Sequence, residues 1–253
     1  MNMQRKIQEK QYNFCYHYLP SFKKGFRLAP IWEWGLQYVA SIKFLIEELE
    51  KIKFNSLIDI GCGDGRIVRE LHDFFPEKSI SGIDISKKAI KLACALNPEL
   101  SFEENNIIRS DVVDRYNVVL LIEVIEHIPP NQLNLFLEKT SNYLLEDGYL
   151  ILTTPSMNKK LSNKHFQHFS MRQLNELLNP YFEIVRSSYL HNPNKIFKWM
   201  MKILYNKWFI LNYQRLLNYI FNYYYRNILK DRTGRGHRIY ILARKKRKGF
   251  TGK

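Results

Sequence analysis

The chain is 253 residues long, 45% hydrophobic and 25% charged. That balance fits a globular α/β domain with one elaboration and excludes an intrinsically disordered chain. Its net charge of +15 invites an anionic partner (nucleic acid, an acidic membrane surface or a phosphorylated substrate), although charge alone assigns no function.

The N-terminal MNMQRKIQEK has no apolar core of the kind a signal peptide carries. No uncharged run approaches the ~18 residues a membrane-spanning helix needs. The three cysteines, Cys15, Cys62 and Cys94, are scattered and give neither a disulfide framework nor a CxxC zinc pattern, so a reducing, cytoplasmic setting is expected. Residues 1–33 read as an irregular aromatic lead-in, either packed down or serving as a lid. A long helix is predicted over WEWGLQYVASIKFLIEELEK, Trp32 to Lys51, from apolar residues at helical spacing.

The pattern changes after Lys53. SLIDI is a short buried strand and GRIVRELHDFF an amphipathic helix. SISGID is a second strand, followed by the helix SKKAIKLACAL with Ser86 as its N-cap. LSFEEN gives a third strand and YNVVLLIEV a fourth. NQLNLFLEKTSNYLL is a helix stopped by Gly148, and YLILTTP is a fifth strand. SMRQLNELLNP is a helix capped by Ser170, and FEIVRSSYL and RIYILARK are two final strands. This alternation predicts a Rossmann-like, doubly wound α/β fold with a seven-stranded, mostly parallel sheet and an antiparallel last strand.

One segment breaks the alternation. Phe197, Met200, Met201, Leu204, Trp208 and Leu211 recur at helical spacing, with Lys195, Lys198 and Lys202 opposite. The organisation read from the sequence is thus a lead-in (1–33), a core (34–192), a basic, aromatic helical insertion (193–231), the last core strand (232–244) and a polybasic tail (245–253).

LIDIGCGDGRIVREL is the most informative stretch. Asp59, Gly61, Gly63 and Gly65 form D-x-G-x-G-x-G between the first strand and its helix, the context that gives a glycine triplet meaning. Bare backbone lets a ligand approach closely, and open α/β sheets bind ligands at the carboxyl ends of their strands. The spacing departs from the G-x-G-x-x-G of dinucleotide folds. Carboxylates at Asp59 and Asp64 would repel a pyrophosphate, yet suit a cationic ligand carrying an amino group and a sulfonium.

This stretch resembles motif I of the class I S-adenosylmethionine-dependent methyltransferases. The resemblance runs over roughly residues 56–190 and the last strand at Arg238–Arg244. It is specific as to cofactor and weak as to substrate. It implies that S-adenosylmethionine is held by Asp59, Gly61, Gly63 and Gly65. Asp84, about twenty residues past the loop, would hold the ribose hydroxyls, Asn106 would contact adenine, and Glu123 would stand beside the sulfonium methyl. The chain departs from many relatives at Tyr116–Asn117, where they read Phe-Asp, and no role is built on that position.

LLIEVIEHIPP places Glu123, Glu126 and His127 where the fourth strand leaves the core. Three readings stay open. The carboxylates could cap the start of the next helix. His127, with Glu126, could serve as catalytic base for a hydroxyl acceptor. Or the cluster binds a divalent cation (magnesium, manganese or zinc) that acidifies an acceptor hydroxyl. For the third, the cluster is similar to that of the small-RNA terminal 2′-O-methyltransferases and of ubiquinone-biosynthesis O-methyltransferases. That resemblance implies a ligand set of Glu123, Glu126, His127 and either His165 or His168.

The expected acceptor is a hydroxyl on a small molecule, a glycan or a lipid-linked precursor, with the basic insertion making peripheral contact with an anionic membrane. RNA 2′-O-methylation is the alternative, since basic stretches interleaved with tyrosines suit phosphate contact and base stacking. A third reading makes the insertion chiefly a protein or membrane docking surface. The oligomeric state is not read from the sequence.

Overall fold

A computed structural model describes residues 3–12, 16–18, 32–204 and 213–247. The elements in chain order are α1 (Met3–Gln11), α2 (Trp32–Leu49), β1 (Ser56–Ile60), α3 (Arg66–Phe74), β2 (Ser79–Asp84), α4 (Lys87–Leu96), β3 (Ser101–Glu104) and β4 (Tyr116–Ile122). Then come α5 (Leu133–Asn142), β5 (Leu144–Pro155), α6 (Met171–Leu178), β6 (Phe182–Leu190), α7 (Lys195–Leu204), α8 (Gln214–Asn227), β7 (Lys230–Asp231) and β8 (Arg238–Lys245). They group into two compact units. The first is Met1–Asn13 with Phe54–Ser187 and Arg238–Lys253; the second is Phe14–Lys53 with Ser188–His237. Helix α2 therefore groups with the insertion.

Among the described residues the sheet has eight strands, one more than the sequence predicts, in the order β3-β2-β1-β4-β5-β8-β6-β7, the two-residue β7 pairing antiparallel with the end of β6. β1, β2, β3, β4 and β5 pair in parallel, and β8 runs antiparallel to β5. Val118, Val119, Leu120 and Leu121 on β4 are fully buried, as continuous aliphatic strands in a sheet covered on both faces should be. Each such side chain contributes roughly 1.5–3 kcal/mol relative to exposure. The strand order reverses between β1 and β4, so the loops after these two neighbouring strands flank the crevice where such sheets bind ligands.

The caps fall where the sequence places them. The Ser86 hydroxyl accepts from the Ala89 N–H at 3.2 Å, and Ser170 and Gln173 form a capping box. Gly148 stops no helix, however. α5 ends at Asn142 and β5 begins at Leu144, with the β4–β5 register jumping from Tyr116–Leu144 to Val118–Tyr149. Asp147 takes the left-handed turn at φ 63. Gly148 is needed because a Cβ there would stand 2.9 Å from the Leu145 carbonyl oxygen. Asn117 ties β4 to the start of β1, its side-chain oxygen accepting from the Asn55 and Ser56 N–H groups at 2.9 and 3.0 Å.

The second unit packs α2, α7 and α8 with the β6 end and β7. Its hub is His191, fully buried and left-handed at φ 61. One ring nitrogen meets the Ser41 hydroxyl of α2 at 2.8 Å, the other the Tyr224 hydroxyl of α8 at 2.7 Å. Both ring nitrogens are thus satisfied, as burial requires. Trp208 and Leu211 lie outside the described residues, as do 248–253 of the tail and most of the lead-in. Among the described residues no helix is long and apolar enough to cross a membrane.

Candidate active site

After β1 the chain turns through Gly61, Gly63 and Gly65, all at positive φ (83, 57 and 79). Two of these positions also admit no side chain. A Cβ on Gly61 would stand 2.6 Å from Val124, and one on Gly65 2.7 Å from the Phe102 ring. The loop is held from the next strand: the Gly61 and Cys62 N–H groups donate to the Ile83 carbonyl, and Gly63 donates to the Asp84 carboxylate at 2.9 Å. The second Asp84 oxygen accepts from the Ser86 N–H at 2.8 Å.

Asp59 is 1% exposed, and neither carboxylate oxygen has a hydrogen-bond partner among the described residues. Burial first, and then the charge of Asp84, push its carboxyl up to about 7. A buried, unpartnered carboxyl beside a bare glycine loop fits a ligand that brings a positive charge and N–H donors. Beyond Asp84 lies a cavity of about 400 Å³ lined by Glu9, Ile85, Lys87, Lys88, Lys91 and Glu104. Asn106 is used locally, its side-chain oxygen accepting from the Ile108 N–H at 3.2 Å.

After β4 the chain pivots on Glu123, a non-glycine residue at φ 58, a costly conformation that clusters at functional sites. A single 3-10 turn, Ile125–His127, follows. Opposite, the segment after β5 closes on itself, with Met157 and Phe169 bonded across its base, and the Phe166 N–H donates to the Glu126 carbonyl at 2.9 Å. This brings Glu126, His127 and His165 together, one ligand atom from each lying within 4.8 Å of the others.

Glu126 is 0% exposed. One oxygen accepts from the Thr154 hydroxyl at 3.1 Å and the other has no hydrogen-bond partner among the described residues. Burial, and after it the Glu123 charge, raise its carboxyl well above the ordinary range. Burial lowers His127, and pulls His165 down to about 3 with help from His127 and His168. Both imidazoles are neutral at neutral pH.

The tautomers follow from the acceptors. A carbonyl oxygen only accepts. His127 Nδ1 lies 3.1 Å from the Lys164 carbonyl and His168 Nδ1 2.9 Å from the Lys159 carbonyl, so both nitrogens carry protons. His168 Nε2 is then an acceptor, and His165 Nδ1, 2.8 Å away, must donate to it. The Nε2 atoms of His127 and His165 are left as bare lone pairs, and that of His127 stands 4.0 Å from the second Glu126 oxygen.

Of the five sequence-derived ligands, Glu126, His127 and His165 come together. Glu123 is held by Arg238 at 2.9 Å and by the Thr153 hydroxyl at 3.2 Å. His168 sits behind His165 as its hydrogen-bond partner at 2.8 Å. α5, with Gln132 at its N-cap, has no side-chain cap hydrogen bond. Sequence reasoning missed Arg238, Thr153, Thr154 and the carbonyls of Lys159 and Lys164. Carbonyls leave no sequence signal. An arginine opening the last strand beside an acidic strand end was the one visible clue.

A parallel sheet reversing between β1 and β4, a glycine loop with an acidic strand end on each side, and a polar cluster after β4 define a class I S-adenosylmethionine-dependent methyltransferase. The chain belongs to the methyltransferase domain family, whose model matches residues 35–207. Among curated relatives, the (S)-tetrahydroprotoberberine N-methyltransferase of Eschscholzia californica is 26% identical over 118 residues, covering 45% of this chain and 31% of that one. N-methyltransferase 4 of Papaver somniferum is 24% identical over 119 residues, covering 44% and 33%. The chain thus spans about a third of the length of the curated relatives it matches.

Solved structures show the same fold. Magnesium protoporphyrin IX methyltransferase from Synechocystis PCC 6803, with bound S-adenosylmethionine, aligns at TM-score 0.61 and 13% identity over 97% of this chain and 99% of that one. The N-methyltransferase NodS from Bradyrhizobium japonicum WM9, in complex with S-adenosyl-L-homocysteine, aligns at 0.58 and 12% over 83% and 88%.

Proposed function

We propose that this methyltransferase acts on a hydroxyl of a small-molecule, glycan or lipid-linked acceptor, with His127 Nε2 taking the hydroxyl proton. The observation that carries the reading is the bare, neutral Nε2 of His127, oriented by the Lys164 carbonyl at 3.1 Å. The cofactor supplies an electrophilic methyl group on a sulfonium. Asp59, Asp84 and the glycine loop would hold it, so that the acceptor's O–CH3 bond would form as the S–CH3 bond breaks. An amine need only shed its ammonium proton before attack, whereas a hydroxyl needs its proton taken as attack proceeds. A fixed imidazole serves the second case. Lys159 and Lys164, both lowered first by burial, border the same cluster and suit an acceptor with an anionic group near the hydroxyl.

The Glu126–His127–His165 arrangement supports a second reading in which these atoms hold a divalent cation. One carboxylate and two imidazoles are a donor set for zinc, manganese or iron, and the cation would supply Lewis acidity at the hydroxyl. The N-methyltransferase names of the relatives favour a third acceptor, an amine.

One assay with isotopically labelled methyl groups separates these. Product carrying the label on oxygen, and a His127→Ala rate about 10²–10⁴-fold down with donor binding intact, support the base. Label on nitrogen removes the hydroxyl assignment. A chelator that abolishes turnover, restored by one added cation, selects the metal reading.

A further inference from the structure

Helix α7 presents a two-sided outer face that is exposed among the described residues. Phe197 and Met201 are buried, and Met200 and Leu204 half-buried, on its inner side. At about 100° per residue the outer side divides lengthwise. Ile196, Trp199 and Ile203 form one flank, 77%, 66% and 45% exposed. Lys195, Lys198 and Lys202 form the other. Three large apolar groups in a line on a helix surface are not the scattered exposure that needs no explanation.

The stretch of chain that carries this face has charge of one sign. Residues 184–230 contain no Asp or Glu, while Lys195, Lys198, Lys202, Lys207, Arg215, Arg226 and Lys230 fall within that span. On α8, Tyr219 and Tyr223 are also exposed, at 67% and 44%.

We propose that α7 lies in the plane of an anionic lipid surface, with Ile196, Trp199 and Ile203 in the headgroup–acyl boundary and Lys195, Lys198 and Lys202 on the phosphates. A helix with an apolar flank carrying tryptophan beside a lysine flank is the pattern of interfacial helices, and tryptophan favours the headgroup level. The lysine stems reach outward along the apolar flank. Two isoleucines argue against nucleic acid, because aliphatic side chains neither stack on bases nor contact phosphates. A second copy of the chain would set lysine against lysine.

The test is co-sedimentation of the full chain with vesicles of phosphatidylcholine containing phosphatidylserine, against phosphatidylcholine alone. Binding to the first and little to the second is expected. Lys195→Gln/Lys198→Gln/Lys202→Gln together should weaken binding on the order of a hundredfold, about fivefold per charge. Trp199→Ala/Ile203→Ser should weaken it at least about tenfold. Donor binding, measured by calorimetry, should be unchanged in both variants and shows that they are folded. No wild-type binding to anionic vesicles overturns the proposal. So does binding that survives both α7 variants and disappears only when the C-terminal basic run is neutralised. An RNA shift or a dimer that depends on Trp199, without vesicle binding, reassigns the face and also overturns it.

Discussion

The Arg238 guanidinium holds the Glu123 carboxylate at 2.9 Å and so separates the fates of two acids three residues apart. Glu123 is paired with a cation from β8, while Glu126 keeps an oxygen with no hydrogen-bond partner among the described residues. The pair is partly buried, so its contribution lies between that of a surface and a buried ion pair. Arg238→Gln and Glu123→Gln should each lower stability by about 1–2 kcal/mol, with about 1 kcal/mol of coupling in the double-mutant cycle. Chemical denaturation measures this, and strictly additive effects would show that the two residues do not act together.

His168 acts through His165. Removing its Nε2 acceptor frees His165 to flip or to change tautomer. If the cluster holds a cation, His168→Ala should lower affinity about 10–100-fold, and His165→Ala should remove measurable binding. His168→Gln keeps an acceptor and should fall between wild type and His168→Ala. Titration calorimetry with zinc or manganese reads all three, and a His168→Ala affinity equal to wild type would refute the relay.

Asp59 links donor binding to pH. Its carboxyl sits at about 7 in the folded protein against an ordinary 3.8. Between those values the folded chain keeps a proton that the unfolded chain has shed, so stability falls as pH rises through the window, and the full penalty applies above about 7. Asp59→Asn should stabilise the ligand-free protein by about 1–3 kcal/mol at about pH 8 and by less at about pH 5. The same substitution should weaken donor binding. Wild-type binding should tighten as pH rises through about 7, because the donor's positive charge favours the ionised carboxylate. Thermal melts and calorimetry at the two pH values check both halves.

Gly61 faces Val124, and a Cβ there would lie 2.6 Å from the valine methyl. Gly61→Ala should cost about 2–4 kcal/mol, combining overpacking with the left-handed backbone. Val124→Ala in the same chain should recover the steric share and leave the φ 83 share, about 1–2 kcal/mol. If Val124→Ala rescues nothing, the loop does not sit against the residue that follows Glu123.

The parts of the fold visible in the sequence are those set by local pattern. The aliphatic run Val118–Leu121 announced a buried central strand, and Ser86 and Ser170 announced helix starts, because cap chemistry is confined to a few neighbouring residues. The end of α5 is not legible, because Gly148 reads as a helix stop and instead allows close backbone approach at a register jump. Asn117, at a position to which the sequence assigned no role, turned out to join two strands through hydrogen bonds to residues 61 and 62 positions away. In the site, the carboxylates and imidazoles were legible as residue types. What divided Glu123 from Glu126, and His165 from His168, was not. Those distinctions rest on Arg238, 115 positions from Glu123, and on two main-chain carbonyls.

The carbonyls of Lys159 and Lys164 set which imidazole nitrogens are bare, and no side-chain replacement can delete a carbonyl. The loop from Ser156 to Phe169 should therefore tolerate exchange of the exposed Lys160 while resisting any change in its length. One residue inserted between Lys159 and His168 would shift the carbonyl away from its imidazole, and the nitrogen that faces Glu126 would change with no ligand altered. The chemistry of this site is written in the spacing of the loop as much as in its histidines.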